Sequence, residues 1–152
     1  MKLTEALALE RIDLDLISRA KLPAIEEMIG LVARSLPLGE AGPIVARVLE
    51  REGLSSTAVD HGIAIPHAHC EEVSGVVAAL GISRQGLDYE APDGRLVHLV
   101  FLILAAPTAT PAYLSVLGRT ARIFHREEVR HQVREAASPG EVLALIARHE
   151  PF

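Results

Sequence analysis

The chain has no tryptophan, three phenylalanines, two tyrosines and a single cysteine among 152 residues. With aromatics at 3%, its core must be built from Leu, Ile, Val and Ala, and no aromatic platform exists for stacking bases or sugar rings. The lone thiol, Cys70, cannot close an internal disulfide, which fits a reducing compartment. Basic residues are also short: 15 Lys and Arg against 20 Asp and Glu leave a formal net charge of −5 and a pI near 5.8. That balance argues against nucleic acid as a partner, because binding to phosphate backbones draws on clustered Lys and Arg. Long apolar runs are missing as well. The longest, Leu99 to Ala106, falls far below the ~20 residues of a membrane-spanning helix and reads as a buried strand. The N-terminal segment carries Glu5, Glu10, Asp13 and Asp15, so it lacks the apolar centre of a signal peptide. A cytoplasmic protein without membrane insertion is expected.

What is present is a chain 49% hydrophobic, without repeats, punctuated evenly by Pro and Gly, which suits one domain over residues 1–152. Leu22, Ile25, Met28, Ile29, Val32 and Leu36 have helical spacing and predict an amphipathic helix. A second helix is expected from Pro43, with Ile44, Val45, Val48 and Leu49 on one face, stopping at Gly53 and placing Arg51 and Glu52 in its last turn. Extended segments follow at Thr57–Asp60, Ile63–Ile65, Val76–Ser83 and Val97–Leu104. Helix returns after Pro107, with Leu114, Leu117, Ala121 and Phe124 on one stripe, and continues through Val129 and Val133. A final helix opens at Ser138-Pro139-Gly140-Glu141, which has capping-box spacing, and buries Val142, Leu145 and Ile146. The fold class expected is α/β, a mixed sheet flanked by helices on both faces in α/β/α layers, with one strand buried on both sides.

His67 draws attention because it follows Pro66, whose fixed φ stiffens the chain as it leaves a short apolar strand for a loop. A histidine titrating near neutrality can act as a neutral nucleophile toward phosphorus. Any single histidine is more often structural, so context has to carry the assignment. Upstream lie Arg51-Glu52 and Ser55-Ser56-Thr57, which supply a guanidinium and hydroxyls of the kind that stabilise phosphoryl oxygens. The plainer alternative is that Arg51 complements the helix dipole and the hydroxyls form a turn. His61, His67, His69 and Cys70 also allow a metal reading, although no recognised ligand spacing is present. His98 is expected on a sheet face with a hydrogen bond. His125, His131 and His149 belong on polar helix surfaces, and Glu71-Glu72 and Glu127-Glu128 read as surface charge.

The spacing of Arg51-Glu52, Ser56-Thr57 and Gly62-Ile63-Ala64-Ile65-Pro66-His67 resembles the active-site signature of fructose/mannitol-class (type 2) enzyme IIA domains of the phosphotransferase system. That class includes nitrogen-regulatory IIA proteins, and the resemblance extends over essentially the whole chain. It implies that His67 is phosphorylated by a histidine-containing phosphocarrier protein, with Arg51, Thr57 and Ser56 supporting the site. The group would then pass to a sugar-permease IIB component, or its presence would signal to regulatory proteins. In the family a second histidine commonly sits beside the active one, and the matching position here is Tyr113, which can donate a hydrogen bond but not an imidazolium charge. Two rival expectations remain open: a regulatory binding module of the same fold with weak or no phosphotransfer, and a His/Cys metal-binding protein. No cofactor is expected.

Overall fold

The apolar run Val97–Ala105 forms β6, and the sheet is assembled around it. The computed structural model describes residues 1–150. The elements in chain order are α1 (Leu3–Ala6), β1 (Ile12–Asp13), α2 (Lys21–Ala33), α3 (Ala41–Leu54), β2 (Ala58–Val59), β3 (Ile63–Ala64), β4 (His67–His69), β5 (Val76–Leu87), β6, α4 (Thr110–Phe124), α5 (Glu127–Arg134) and α6 (Pro139–Arg148). The strand order is β1-β5-β6-β3-β2, with β4 also on β6. Strand β5 pairs antiparallel to β6, and β1 with β5, β3 and β4 with β6 are parallel, so the sheet is mixed.

Both faces of β6 are covered. Leu99, Phe101, Ile103 and Ala105 face one apolar layer, shared with α1, α4, α5 and α6, whereas Val100, Leu102 and Leu104 face the other, shared with α2 and α3. This is the α/β/α arrangement expected from a strand that is hydrophobic without a break from Leu99 to Ala105. Helix α2 approaches β5 closely at Gly81, where a Cβ would lie 2.6 Å from Met28 Sδ and 2.7 Å from Leu16, so only glycine fits. At the other layer the buried Glu150 carboxylate accepts from the backbone N–H groups of Leu3 and Thr4, at 2.5 and 3.0 Å. Those N–H groups belong to the first turn of α1, where no intrahelical acceptor exists.

Several boundaries depart from the sequence expectations. Helix α2 ends at Ala33 rather than Leu36, and α3 runs through Gly53 to Leu54, with Ser55 extended as the cap. Gly53 adopts ordinary helical geometry, so it does not stop the helix. Strands β2 and β3 are two residues each, and β5 reaches Leu87. On α4 the buried stripe is Tyr113, Val116, Thr120, Ile123 and Phe124, while Leu114 and Ala121 are exposed and Leu117 is half-buried. Tyr113 and Thr120 hide that stripe from a count of aliphatic residues: Thr120 satisfies its buried hydroxyl on Val116 O at 2.8 Å. Ser138 caps α6 as expected, accepting from Glu141 N at 3.1 Å, but Glu141 reaches back to Ala137 N instead of closing the box on Ser138.

Candidate functional site

His67 lies on a strand, which corrects the expectation of a loop. Strands β3 and β4 keep one register against β6, Ile63 opposite Leu99 and His67 opposite Ile103, so Pro66 interrupts the ladder without shifting it. Proline removes one donor, yet Pro66 O still accepts from Ile103 N at 3.0 Å. Strand pleating then fixes the side chains: Ile63, Ile65, His67 and His69 face the α4 layer, and Ala64, Ala68 and Cys70 face the α2–α3 layer. Beyond Pro66 the strand has no neighbour other than β6, and α3 packs along its open side.

A cleft of about 520 Å³ opens there between α3, β4 and α4. Arg47, Glu50, Arg51, His67, His69 and Tyr113 supply its polar groups, and Leu54, Leu114 and Leu117 its apolar rim. The structure therefore brings Arg51, His67 and Tyr113 together. His67 Nδ1 donates to Ile65 O at 2.7 Å, because a carbonyl can only accept. Nε2 consequently keeps its lone pair. Burial pushes the His67 pKa below that of a free imidazole, and the positive charge of Arg51 adds to this, while the bond to Ile65 opposes it. The imidazole is thereby biased toward its neutral form.

Tyr113 lies edge-on to both imidazoles, with ring centroids 5.8 Å from His67 and 4.9 Å from His69. Burial raises its pKa, so the phenol stays protonated and able to donate. Arg51 uses one N–H on Ser55 O at 2.9 Å, which leaves four donors. Arg47, one turn earlier, is engaged in a two-point ion pair with Glu72 at 2.8 and 3.2 Å. That pair and a hydrogen bond from Cys70 Sγ hold the Glu72 carboxyl down at about 2.

Ser56 and Thr57 sit elsewhere. Ser56 Oγ accepts from Ala58 N at 3.1 Å and shapes the turn into β2. Thr57 is buried; its backbone N–H and hydroxyl both donate to Glu52, and the hydroxyl lies 3.3 Å from Tyr89 OH. Neither residue lines the cleft. Glu52, which sequence reasoning placed only beside Arg51, is the centre of this cluster: it is 7% exposed and paired with Lys21 at 2.9 Å. The Lys21 ammonium stands 4.9 Å over the Tyr89 ring. The cluster ties the end of α3, which carries Arg51, to the turn leading into β2.

The metal residues do not converge. Cys70 is buried on the opposite face from His67 and His69, and His61 packs against His125 with ring centroids 6.0 Å apart. Among the described residues no three His, Cys, Asp or Glu side chains gather as a metal site. His98 behaves as expected, its Nδ1 donating to Ser83 O at 2.9 Å. Arg47, Glu50, Leu54, Ala68 and the exposed faces of Leu114 and Leu117 are the lining residues that sequence reasoning did not assign to the site. Arg47 could have been found as the residue four before Arg51, one turn away on the same helix face.

The family model for the phosphoenolpyruvate-dependent sugar phosphotransferase system, EIIA 2, matches residues 5–149. Over 150 residues the chain is 37% identical to the fructose-specific EIIABC component of Bacillus subtilis, covering 99% of this chain and 24% of that protein. The chain thus spans about a quarter of that relative's length. The crystal structure of nitrogen regulatory protein IIA-Ntr from Neisseria meningitidis is 32% identical, with a TM-score of 0.86 over 94% of this chain and 97% of that one. A complex of enzyme IIA mannitol with phosphorylated enzyme IIB mannitol from Escherichia coli shares the fold at 22% identity, with a TM-score of 0.76 over 93% of this chain and 99% of that one. With residues 5–149 matched by the family model, the chain belongs to the EIIA 2 family of the phosphotransferase system.

Proposed function

We propose that His67 is the phosphoryl-accepting residue of this EIIA domain and that its Nε2 is the reacting atom. The observation that carries this is the Nδ1 bond to Ile65 O, which commits one nitrogen and leaves the other as a neutral nucleophile in the cleft. The donor is a histidine-containing phosphocarrier protein. Nε2 attacks its phosphorus in line; the new N–P bond forms as the donor's P–N bond breaks, and the electron pair returns to the donor imidazole. Arg51 stabilises the transferred charge with its four free N–H groups, and Tyr113 donates from its neutral hydroxyl. Ser56 and Thr57 act as positioning residues, Thr57 through Glu52.

The rim suits a protein partner. Leu54 and Leu114, 81% and 60% exposed, border the cleft and offer apolar surface for docking. The acceptor is a sugar-permease IIB component, with fructose the substrate suggested by the Bacillus relative, or a regulatory protein, as the nitrogen-regulatory relative suggests. Residues 1–152 act as one such domain in the cytoplasm; no helix among the described residues is long and apolar enough to cross a membrane. Tyr113 favours a second reading, a regulatory module whose phosphate uptake is slow, because a phenol lends no positive charge.

Incubation with the phosphorylated carrier protein is expected to give an acid-labile phosphohistidine that is absent from His67→Ala. Label persisting in that variant would overturn the assignment. The uptake rate separates a working carrier from the slow regulatory module.

A further inference from the structure

A second cleft, of about 350 Å³, lies at the other end of the β3–β4 segment and is lined by His61, Arg95, Glu127, Arg130, His131 and Arg134. Three guanidiniums there face one carboxylate, in a protein whose net charge is −5. Arg95 and Arg134 have no ion-pair partner among the described residues. Arg130 is oriented instead by backbone, donating from one nitrogen to Phe124 O at 2.8 Å and His125 O at 2.7 Å, with its other donors left over. Arg126, Arg130 and Arg134 occupy successive turns of α5 and its cap, where like charges repel.

The backbone adds a separate observation. His61 has φ 75°, the left-handed region that most side chains avoid, and it is followed by Gly62 at φ 80° in the hairpin between β2 and β3. A glycine would serve that turn better, yet an imidazole stands there and reaches the cleft. A smaller hollow of about 170 Å³ adjoins it across His61, walled by Ile63, Ala121 and Phe124.

We infer that this cleft binds a small molecule carrying two linked phosphate groups, held by Arg95, Arg130 and Arg134. Arg130 and Arg134 are one helical turn apart, and Arg95 approaches from the turn before β6, so the three can engage neighbouring phosphates from two sides. Guanidinium is the group suited to this, since its fork of N–H donors fits phosphate oxygens in pairs. The adjoining hollow gives room for the organic part of the ligand. The site uses no residue of the His67 cleft and stands independently of the function proposed above.

The probe is inorganic pyrophosphate titrated into the full chain, followed by backbone amide NMR and calorimetry at fixed ionic strength, with sulfate as the comparison anion. Saturable binding with a dissociation constant below about 1 mM is expected. The shifted amides should cluster at residues 61, 95, 130, 131 and 134, with sulfate at least tenfold weaker. Arg95→Glu should weaken pyrophosphate at least tenfold. Its side chain forms no hydrogen bond or ion pair among the described residues, so an unchanged circular dichroism spectrum is expected. Arg134→Gln should weaken binding several-fold. Shifts that rise linearly without saturating, that follow sulfate equally, or that centre on residues 47, 51 and 67 would overturn the inference.

Discussion

The parallel pairing of β3 and β4 with β6 gives the molecule two ends, and a cleft opens at each. At the carboxyl ends, where His67–His69 lie opposite Ile103–Ala105, the cleft is rimmed by leucines and holds an imidazole whose pKa burial lowers. One of its two guanidiniums is already paired with Glu72. At the amino ends the cleft is polar and its three guanidiniums have no acid of their own beyond Glu127. The difference is chemical. A carrier must release its phosphoryl group, so a site with limited positive charge and a reactive lone pair suits transfer, whereas concentrated guanidinium suits retention. Open α/β sheets usually place ligands beyond the carboxyl ends of their strands, and the His67 cleft lies at that end.

The sharpest way to break the comparison is to cross the variants. His67→Ala should lose all phosphohistidine and leave pyrophosphate binding unchanged, and Arg95→Glu should do the reverse; a variant that disturbs both readouts would show the clefts to be coupled. Next in size is the scaffold of the first cleft. Glu52→Ala strips the partner from Lys21 and from both donors of Thr57, and it should destabilise the chain by about 3–5 kcal/mol in urea unfolding. A loss under 1 kcal/mol would mean that the cluster does not hold the end of α3.

Arg51→Ala should slow phosphate uptake roughly 100-fold, the scale for removing one charge-stabilising donor, with little change in stability because Arg51 donates only to Ser55 O. A smaller effect comes from pH. Burial lowers the His67 pKa, so Nε2 remains unprotonated below the ordinary imidazole value of 6.5. The acid limb of the uptake rate should therefore fall below pH 6.5. The sign for stability follows from the same shift: the unfolded chain takes up the proton first, so stability falls as pH drops from about 6.5 through the folded value. An acid limb above 6.5 would show that the imidazole is instead stabilised as a cation.

How far these features could be foreseen differs between the clefts. The α/β/α layering was legible because β6 is apolar without a break from Leu99 to Ala105, and the meeting of Arg51 and His67 in one cleft was legible because Pro66 and the upstream Arg51 mark the segment in sequence. That His67 lies on a strand was not, since Pro66 reads as a break and the unshifted register on β6 depends on pairing 36 residues away. Glu52 was hidden for a related reason. An acid in a helix's last turn looks solvated, and only the packing of α2 brings Lys21 to it. The α4 stripe was misassigned because Tyr113 and Thr120 carry hydroxyls that burial tolerates once they are satisfied or reach the cleft. Arg95 lies at least 35 residues before Arg130 and Arg134, and the three gather only when the turn before β6 meets α5.

The smallest effect tests why His61 is there at all. At φ 75° an L-residue is disfavoured, so His61→Gly relieves strain in the hairpin while adding some freedom to the unfolded chain. The net outcome should be a gain of about 0.5 kcal/mol in urea unfolding. Pyrophosphate binding should weaken in the same variant, because the ring that lines both the polar cleft and the adjoining hollow has gone. Stability rising while binding falls is the signature of a residue kept for a ligand at the expense of the fold. Were stability to fall instead, the edge-on contact with His125 would account for His61, and the amino-end cleft would lose one of its two independent supports.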